Sequence, residues 1–569
     1  LTTLADFKAT GSRELTAEDY VYQIKRLAHP KVQSPIAEIM KNYIVGFDDF
    51  SKQVGDKQKV EIKDIPLAGA EVISRYQYRI RIKGKYPQFI FWLAMPFFSP
   101  MPWEADAFYE QPGLTDKNIT LDWFPIGTGP YLLAENNPNR RMILVKNPLF
   151  HGEAYPSEGE PEDKQKGLLD DAGKKLPFID KVVFMLEKET IPYWTKFLQG
   201  YFDASGIASD SFDQAIQFTG SGGVTLTDSM QEKGIQLQTS VAISSFYMGF
   251  NMLDATVGGT TEQARKLRQA IAIAVDYEEY ISIFRNGRGI AAQGVLPPGI
   301  FGFAEDKAGI NANVYDWIDG KASAPYLRPV GKAQRKKIDA ARQLMTEAGY
   351  ANGIDPKTGS ALILYFDTTA VSIDDRPTMN WYRKQFEKLG INLVIRATDY
   401  NRFQQKMRAG NAQIFVWGWN ADYPDPENFF FLLYGPNSKV QHGGENAVNY
   451  QNPEFDHLFE QMRNMDNSDQ RYQIIQQMQE LVRHDAPWVF GFNPKNFSLF
   501  HGWYKNLKPN LMANNTLKYQ RIDTAARAEK RQAWNTPVFW PLVLCSVFFV
   551  LMLIPAVNAY RRRVRETVQ

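Results

Sequence analysis

The sequence has few of the side chains that build metal centres and disulfides. Its single cysteine, Cys545, lies inside an apolar run, so the chain forms no internal disulfide and no cysteine-built metal site. The six histidines are scattered, and no two are spaced four residues apart as a helical metal motif requires. These shortages argue against a zinc hydrolase, and we expect neither a metal ion nor a cofactor.

Motifs of common catalytic and nucleotide-binding sites are also absent. The chain contains no G-x-S-x-G elbow, no P-loop and no G-x-G-x-x-G fingerprint. Its 65 basic and 63 acidic residues leave a net charge of +2, which provides no strong field to attract nucleic acid. We therefore expect neither an enzyme nor a nucleic-acid-binding protein. A chain of 569 residues exceeds one hydrophobic core, so two or more domains are predicted.

One long apolar run lies near the C-terminus. Residues 537–557 carry no charged side chain, and as a helix they would span about 31 Å, close to the thickness of a bilayer core. Trp534 and Trp540 lie at one end, and the basic stretch Tyr560-Arg-Arg-Arg-Val-Arg565 follows the other. This pattern predicts a single membrane-spanning helix, with a cytoplasmic C-terminus and the globular part outside the cytoplasm.

The most distinctive stretch of the chain covers residues 414–428. The apolar run 414–417 predicts a buried strand, and Gly418 ends it in a loop stiffened by two prolines. Two indoles, a phenol and two carboxylates follow one another there: Trp417, Trp419, Tyr423, Asp422 and Asp425. Aromatic rings beside an acid suit an amphipathic ligand with a positive end. A surface turn with aspartates in ordinary turn positions would show the same residues.

Residues 333–417 alternate between helical and strand patterns. Helices are predicted at 333–348, 379–389 and 400–409, and each is followed by a short apolar strand pattern. Such alternation indicates an α/β fold with a mostly parallel sheet covered by helices.

A series of motifs in fixed order resembles one known family. The motifs are Leu15-Thr-Ala-Glu-Asp19, Gly127-Thr-Gly-Pro-Tyr131, Gly200-Tyr-Phe-Asp203, Leu267-Arg-Gln-Ala-Ile-Ala-Ile-Ala-Val-Asp276, Glu347-Ala-Gly-Tyr350, Gly418-Trp-Asn-Ala-Asp-Tyr-Pro-Asp-Pro426 and Tyr450-Gln-Asn-Pro-Glu-Phe-Asp456. Together, over residues 10–520, they resemble the extracellular solute-binding proteins of family 5, the peptide- and nickel-binding components of bacterial ABC importers. Each motif alone is weak, whereas the ordered series is specific.

The resemblance implies two α/β lobes that close on a ligand. This is the periplasmic-binding-protein fold of type II, cluster C, here with one C-terminal transmembrane helix added. The predicted segments are lobe I at 1–266 without the family's first segment, lobe II at 267–487, a return to lobe I at 488–524, a stalk at 525–536, the transmembrane helix at 537–557 and a basic cytoplasmic tail at 558–569.

The resemblance also implies a ligand site. In peptide-binding members the Asp of a Trp-x-x-Asp loop holds the free α-ammonium of the peptide, and that position is Asp422 here. A buried carboxylate is tolerated when it is paired, and the peptide ammonium would supply the pair when the lobes close. Arg376 is the nearest candidate for the ligand carboxylate. The predicted ligand-binding residues are Asp422, Trp419, Trp417, Tyr423, Asn446 and Arg376.

The implied function is that of the substrate-binding protein of an ABC transporter, which captures di- or oligopeptides and delivers them to an inner-membrane permease. Its partners would be a peptide, the permease subunits and the lipid bilayer. The resemblance also implies that the membrane is the inner membrane and that the globular part lies in the periplasm. An alternative is a binding-protein fold reused as a structural or regulatory subunit of a membrane complex, with ligand binding lost. A hydrolase that uses Asp422 and Asp425 as an acid pair has no opposed group to work with. Relatives of this fold also bind nickel chelates, haem or oligosaccharides, and these ligands stay open.

Overall fold

The computed structural model describes residues 13–55, 61–218, 223–319, 331–372, 375–513 and 515–566. The first described segment is helical and surrounds a two-stranded antiparallel ribbon. The apolar sides of these elements enclose a core of their own, which includes Phe47 and Trp92. The elements are α1 (Ala17–Ala28), α2 (Ala37–Tyr43), α3 (Phe47–Gly55), β1 (Ala70–Ser74), β2 (Gln77–Ile80), α4 (Phe89–Leu93), α5 (Trp103–Tyr109) and α6 (Pro112–Thr115).

The next segment contains a three-stranded antiparallel sheet and several short elements. Around Trp194 and Phe197 these elements enclose a second separate core. The elements are β3 (Tyr131–Asn137), β4 (Arg141–Lys146), β5 (Lys181–Met185), α7 (Thr190–Leu198), β6 (Ala204–Ser205), α8 (Phe212–Ala215), β7 (Ile216–Phe218), β8 (Val224–Leu226), α9 (Asp228–Glu232) and β9 (Ile235–Val241).

The central part of the chain builds the largest sheet. Its first elements are β10 (Ser244–Phe250), α10 (Glu262–Ala274), α11 (Tyr277–Arg285), β11 (Gly289–Ala291), β12 (Tyr315–Ile318), β13 (Lys332–Arg335), α12 (Ile338–Glu347), β14 (Ile363–Thr368), α13 (Arg376–Glu387) and β15 (Asn392–Ala397). The chain continues with α14 (Tyr400–Arg408), β16 (Ile414–Asn420), α15 (Glu427–Phe430), α16 (Lys439–His442), α17 (Pro453–Met462), α18 (Asp469–Asp485), β17 (Trp488–His501), β18 (Tyr504–Lys505) and β19 (Arg521–Ile522).

The central sheet has the strand order β11-β17-β10-β16-β14-β15. β14 runs parallel to both β15 and β16, as the helix–strand alternation predicts. The other half is antiparallel, because β10 pairs antiparallel with β16 and with β17. The prediction of a mostly parallel sheet was therefore wrong, because β10 and β17 run against their neighbours in the sheet.

Side chains alternate across the central sheet and feed two cores. Tyr247 and Phe415 point to one face, and Met248 and Ile414 point to the other. β17 links this sheet to the preceding segment: its residues up to Pro494 pair with β10 and β11, and residues 495–501 pair with β9. The end of β16 therefore lies close to the strands that connect the two parts.

The C-terminal segment is helical. It contains α19 (Thr524–Asn535), which covers most of the predicted stalk, and α20 (Trp540–Glu566). Within the described part of the chain, the stretch Thr524–Arg565 is the one helical segment apolar and long enough to cross a membrane, and its apolar window is fully exposed.

Candidate functional site

The loop that follows β16, residues 421–428, lies at the end of the central sheet where β16 terminates. The strand continues to Asn420, three residues beyond the predicted end, because Ser244 and Ser245 of β10 pair with Asn420 and Trp419. Parallel strands β14 and β16 both end at this edge, where open α/β sheets bind their ligands. The loop that follows starts at Ala421, whose backbone N–H donates to the Ile243 carbonyl at 2.9 Å.

Asn428 holds the loop in shape. It is 1% exposed, and its Oδ1 accepts hydrogen bonds from Trp419 Nε1 at 3.2 Å and from the Asp422 backbone N–H at 2.7 Å. Its Nδ2 donates to Asp422 Oδ2 at 3.1 Å. A single buried amide thus fixes the Trp419 indole and the Asp422 carboxylate relative to each other. Sequence reasoning missed this role, although the hydrogen-bonding capacity of an Asn beside the Trp-x-x-Asp motif was visible.

Asp422 presents a carboxylate that has no cationic partner among the described residues. Its side chain is exposed, and Asn428 is its side-chain hydrogen-bond donor. The surrounding protein raises the pKa of Asp422, because desolvation outweighs the hydrogen bond from Asn428, and the nearby Glu445 carboxylate acts in the same direction. The acid is therefore positioned to gain from an incoming positive charge.

Asp425 lies three residues further along and has a different environment. Arg471 donates two hydrogen bonds to its carboxylate, at 2.9 and 2.7 Å, and both side chains are buried. The Glu427 backbone N–H donates to Asp425 Oδ1 at 2.9 Å. Arg471 uses a further donor on the Met462 carbonyl at 3.1 Å. Asp425 is thus a paired, structural acid, and it does not form an acid pair with Asp422.

Tyr423 is enclosed by the N-terminal core. It is 2% exposed, and its ring stacks on Phe91 with the centroids 5.7 Å apart. The Trp92 ring meets it edge-on, with the centroids 5.4 Å apart. Its hydroxyl donates to Glu427. Burial raises the pKa of Glu427 to about 7, against the lowering effect of the Tyr423 hydrogen bond, and Asp425 adds to the rise. Tyr423 therefore fastens the loop to the N-terminal segment and leaves no surface for a ligand.

Trp417 and Trp419 project from the same face of β16. Trp417 stacks on Phe403 with the ring centroids 5.4 Å apart, and Trp419 meets Phe431 edge-on with the ring centroids 5.2 Å apart. Both indoles are half-buried. Each leaves part of its ring accessible on the face of the sheet that carries Phe415.

Asn446 and Arg376 do not meet Asp422 directly. Asn446 is fully buried, its Nδ2 donates to the Tyr434 and Tyr450 carbonyls, and its Oδ1 accepts from the Tyr450 N–H. These bonds close a turn and use the whole amide. Arg376 begins α13 with an exposed side chain, beyond the end of β14. It shares the sheet edge with Asp422, but the described residues contain no ion pair between them.

A cavity of about 470 Å³ lies on the opposite face of β16 from the two indoles. It lies beside the junction of β9 with β10 and beside the middle of β17, where β17 changes its partner from β10 to β9. Asn420, two residues before Asp422, also lines it. Five of its twelve lining residues are aromatic. The residues that give the cavity its character are Phe246, Tyr280, Tyr382, Phe492, Asn420 and Arg285.

Arg285 is the one formally charged residue that lines the cavity. Its guanidinium lies over the Phe492 ring, 5.3 Å from the centroid. Its Nε is buried and has no hydrogen-bond partner among the described residues. Sequence reasoning missed Arg285, because a cation at the end of a helix is ordinarily explained by the helix dipole. A buried donor without a partner, in an aromatic cavity, is suited to bind an anion.

The sequence profile of the bacterial extracellular solute-binding proteins, family 5 Middle, matches residues 10–441. Two curated relatives are the heme-binding protein A of Haemophilus influenzae and the dipeptide-binding protein of Escherichia coli. Both are 22% identical; the first match covers 84% of this chain and 72% of the relative, and the second covers 85% and 74%.

A solved structure extends the likeness to the fold. It is the periplasmic binding protein DppA of Helicobacter pylori in complex with the peptide STSA. The alignment has a TM-score of 0.64 at 17% identity and covers 90% of this chain and 83% of that one. The predicted two-lobed α/β fold is confirmed at this level.

Proposed function

The chain belongs to the bacterial extracellular solute-binding proteins of family 5, and from that premise we propose that it captures short peptides for an ABC importer. Members of the family are binding proteins, and the chain acts in the same way, outside the cytoplasm, without a catalytic step. The E. coli relative is named for dipeptides, and the H. pylori structure holds a peptide. A structural subunit that has lost its ligand is not favoured.

The observation that carries the proposal is a pair of opposite charges, neither of which forms an ion pair with another described residue. Asp422 has an exposed carboxylate with no cation, and Arg285 has a guanidinium with an unsatisfied buried donor in the adjoining cavity. Asn420 lines that cavity two residues before Asp422, and we infer from this closeness in sequence that one short ligand reaches both charges. A peptide with free ends carries one charge of each sign, and it would satisfy both groups on binding.

The size of the cavity favours a short ligand. About 470 Å³ lies in the lower half of the range for small-molecule pockets, which runs from about 300 to 1,000 Å³. Its five aromatic side chains offer nonpolar surface, which suits varied ligand side chains. We therefore place di- and tripeptides ahead of long oligopeptides as ligands.

The predicted site residues take different parts in this proposal. Asp422 binds the α-ammonium and Arg285 binds the carboxylate, in place of the predicted Arg376. Trp419 acts through Asn428, which orients Asp422. Tyr423 and Asn446 are buried and have structural roles, without direct contact to the ligand.

We also propose that α20 anchors the protein in the inner membrane as a single span. Its apolar length supports this placement, and its basic end suits the cytoplasmic side. A tethered receptor stays near its permease, which raises the effective concentration of loaded protein without any new contact.

Calorimetric titration of the full chain in lipid nanodiscs tests the ligand assignment. The probes are trialanine, N-acetyl-trialanine and trialanine amide. Removing one partner of a buried charge pair costs about 2–5 kcal/mol, so acetylation or amidation should weaken binding by that amount. Arg285→Met should remove the difference between the acid and the amide, because each change deletes the same contact.

The matched control is Arg376→Met, which should leave the difference between acid and amide intact. If Arg376→Met abolishes it and Arg285→Met does not, the carboxylate site belongs to Arg376. If no di- or tripeptide binds, and native mass spectrometry of the isolated protein finds no retained peptide, the proposed function is wrong.

A further inference from the structure

α19 is packed against the globular part along one face. Arg527, Arg531, Trp534 and Asn535 are half-buried, whereas Glu529 and Lys530 on the other face are exposed. Asp523 caps the helix by accepting the Ala526 N–H at 3.1 Å. The segment between the globular part and α20 is therefore a docked helix, with a fixed position on the protein surface.

The end of α19 nearest to α20 makes the densest contacts. The Trp534 ring lies 5.6 Å from Trp503 and 5.4 Å from His501, and the Lys233 ammonium is 4.6 Å from its centroid. Asn535 Nδ2 donates to the Gln199 carbonyl at 2.9 Å. These contacts hold the last turn of α19 against the protein.

Gly200 makes this close approach possible. Its φ of +75° favours glycine, and a Cβ there would lie 2.9 Å from the Arg531 side chain and 3.3 Å from the Trp534 ring. Next to it, the Arg531 guanidinium lies over the Tyr201 ring at 4.8 Å, and Arg527 pairs with Asp203 at 3.2 Å. The turn 200–203 is thus shaped to receive α19.

The chain that leads into α19 is held as well. Three ion pairs join it to the acidic stretch 153–171: Lys508–Asp163 at 2.5 Å, Lys518–Glu153 at 2.7 Å and Arg521–Asp171 at 2.7 Å. The Asp523 N–H also donates to the Trp503 carbonyl at 2.8 Å. Both ends of α19 are therefore attached to the same body.

The position of the docked end relative to α20 limits where the bilayer can be. Asn535 lies two residues before the apolar run 537–557, which is at most about 7 Å of chain. The headgroup layer on each side of a bilayer is about 5–8 Å thick. If α20 spans the membrane, as proposed above, the surface that touches Trp534 and Asn535 must lie at the headgroups.

We infer that this surface, formed by Gln199, Tyr201, Lys233 and the last turn of α19, rests on the phospholipid headgroup layer. We call it the membrane-facing patch. Its composition fits, because Lys233 and Arg531 can pair with lipid phosphates, and Tyr201, which is 50% exposed, is of the aromatic type enriched at the interface. The globular part is then held in one orientation above the bilayer.

The test measures how close two sites lie to lipid headgroups. In a Cys545→Ala background, a fluorophore is placed at Glu232→Cys, exposed beside Lys233, or at Lys384→Cys, exposed on α13 over the central sheet. The proteins are inserted into phosphatidylcholine–phosphatidylglycerol nanodiscs that contain lipids with a nitroxide on the headgroup. The label at 232 should lose most of its emission, and the label at 384 should keep it.

Trp534→Ala supplies the second variant. It should release α19, reduce the quenching at 232 and speed amide hydrogen exchange in the last turn of α19, while trialanine binding stays unchanged. Equal, weak quenching of the labels at 232 and 384 in the proteins that keep Trp534 would overturn the proposal. Failure of the full chain to co-elute with nanodiscs would overturn it too, and would show that the membrane anchor fails while leaving the peptide site standing.

Discussion

Asp422 and Asp425 lie in one turn, yet they differ in burial and in charge pairing. Asp425 is buried and receives two hydrogen bonds from Arg471. Asp422 is exposed, is oriented by the neutral Asn428 and has no cation among the described residues. A carboxylate that the fold needs is paired within the fold, because an unpaired buried charge is costly. The unpaired one is the one available to a ligand.

The largest expected effect tests whether the Arg471–Asp425 ion pair stabilises the fold. Arg471→Met leaves the buried Asp425 without its partner, so the free energy of unfolding should fall by about 3–5 kcal/mol. The measurement is the urea midpoint of tryptophan fluorescence in detergent. Asp422→Asn, in the same turn, is the control and should keep the wild-type midpoint. If Arg471→Met unfolds at the wild-type urea concentration, Asp425 is not the structural acid.

The second prediction tests the ligand-binding half. Asp422→Ala should weaken trialanine binding by about 2–5 kcal/mol, because the peptide ammonium loses its counter-charge in an ion pair that the bound ligand would bury. The same variant should change the free energy of unfolding by no more than about 0.5 kcal/mol, since Asp422 is exposed and forms no ion pair with any described residue. Calorimetry and urea unfolding on one preparation give both values. A large loss of stability with normal affinity would reverse the roles of the two acids.

The smallest expected effect is a change of stability with pH that arises from a third acid in this loop. Glu427 is buried, receives hydrogen bonds from Tyr423 and Tyr86, and has a pKa raised from 4.5 to about 7. Between these two pH values the folded state holds a proton that the unfolded state has released. Stability should therefore fall as pH rises from 4.5 to 7, by roughly 3 kcal/mol at most.

Glu427→Gln should flatten this dependence, because the amide keeps an acceptor for Tyr423 and does not ionise. Urea midpoints at pH 5 and pH 8 give the comparison. If the wild-type protein is more stable at pH 8 and Glu427→Gln shows the same gain, the buried acid does not control the pH response.

Local patterns were sufficient for several elements of the fold. The apolar run 414–417 predicted β16, and the helix–strand alternation predicted the parallel pairs of β14. The Trp-x-x-Asp motif predicted Asp422 as the ligand acid, which stays a prediction. Arg285 and Asn428 were missed, because neither differs locally from a helix-terminal cation or a loop amide.

The sequence by itself determined the family, the α/β class and the apolar C-terminal helix, because motif order, periodicity and apolar length are local and additive along the chain. Only the tertiary structure decided which charges are satisfied. Arg471 and Asp425 are 46 residues apart in the sequence, and no local sequence pattern predicts that they pair. Charge pairing depends on distance and burial in space, which is why two aspartates three positions apart separated into a structural acid and a free one.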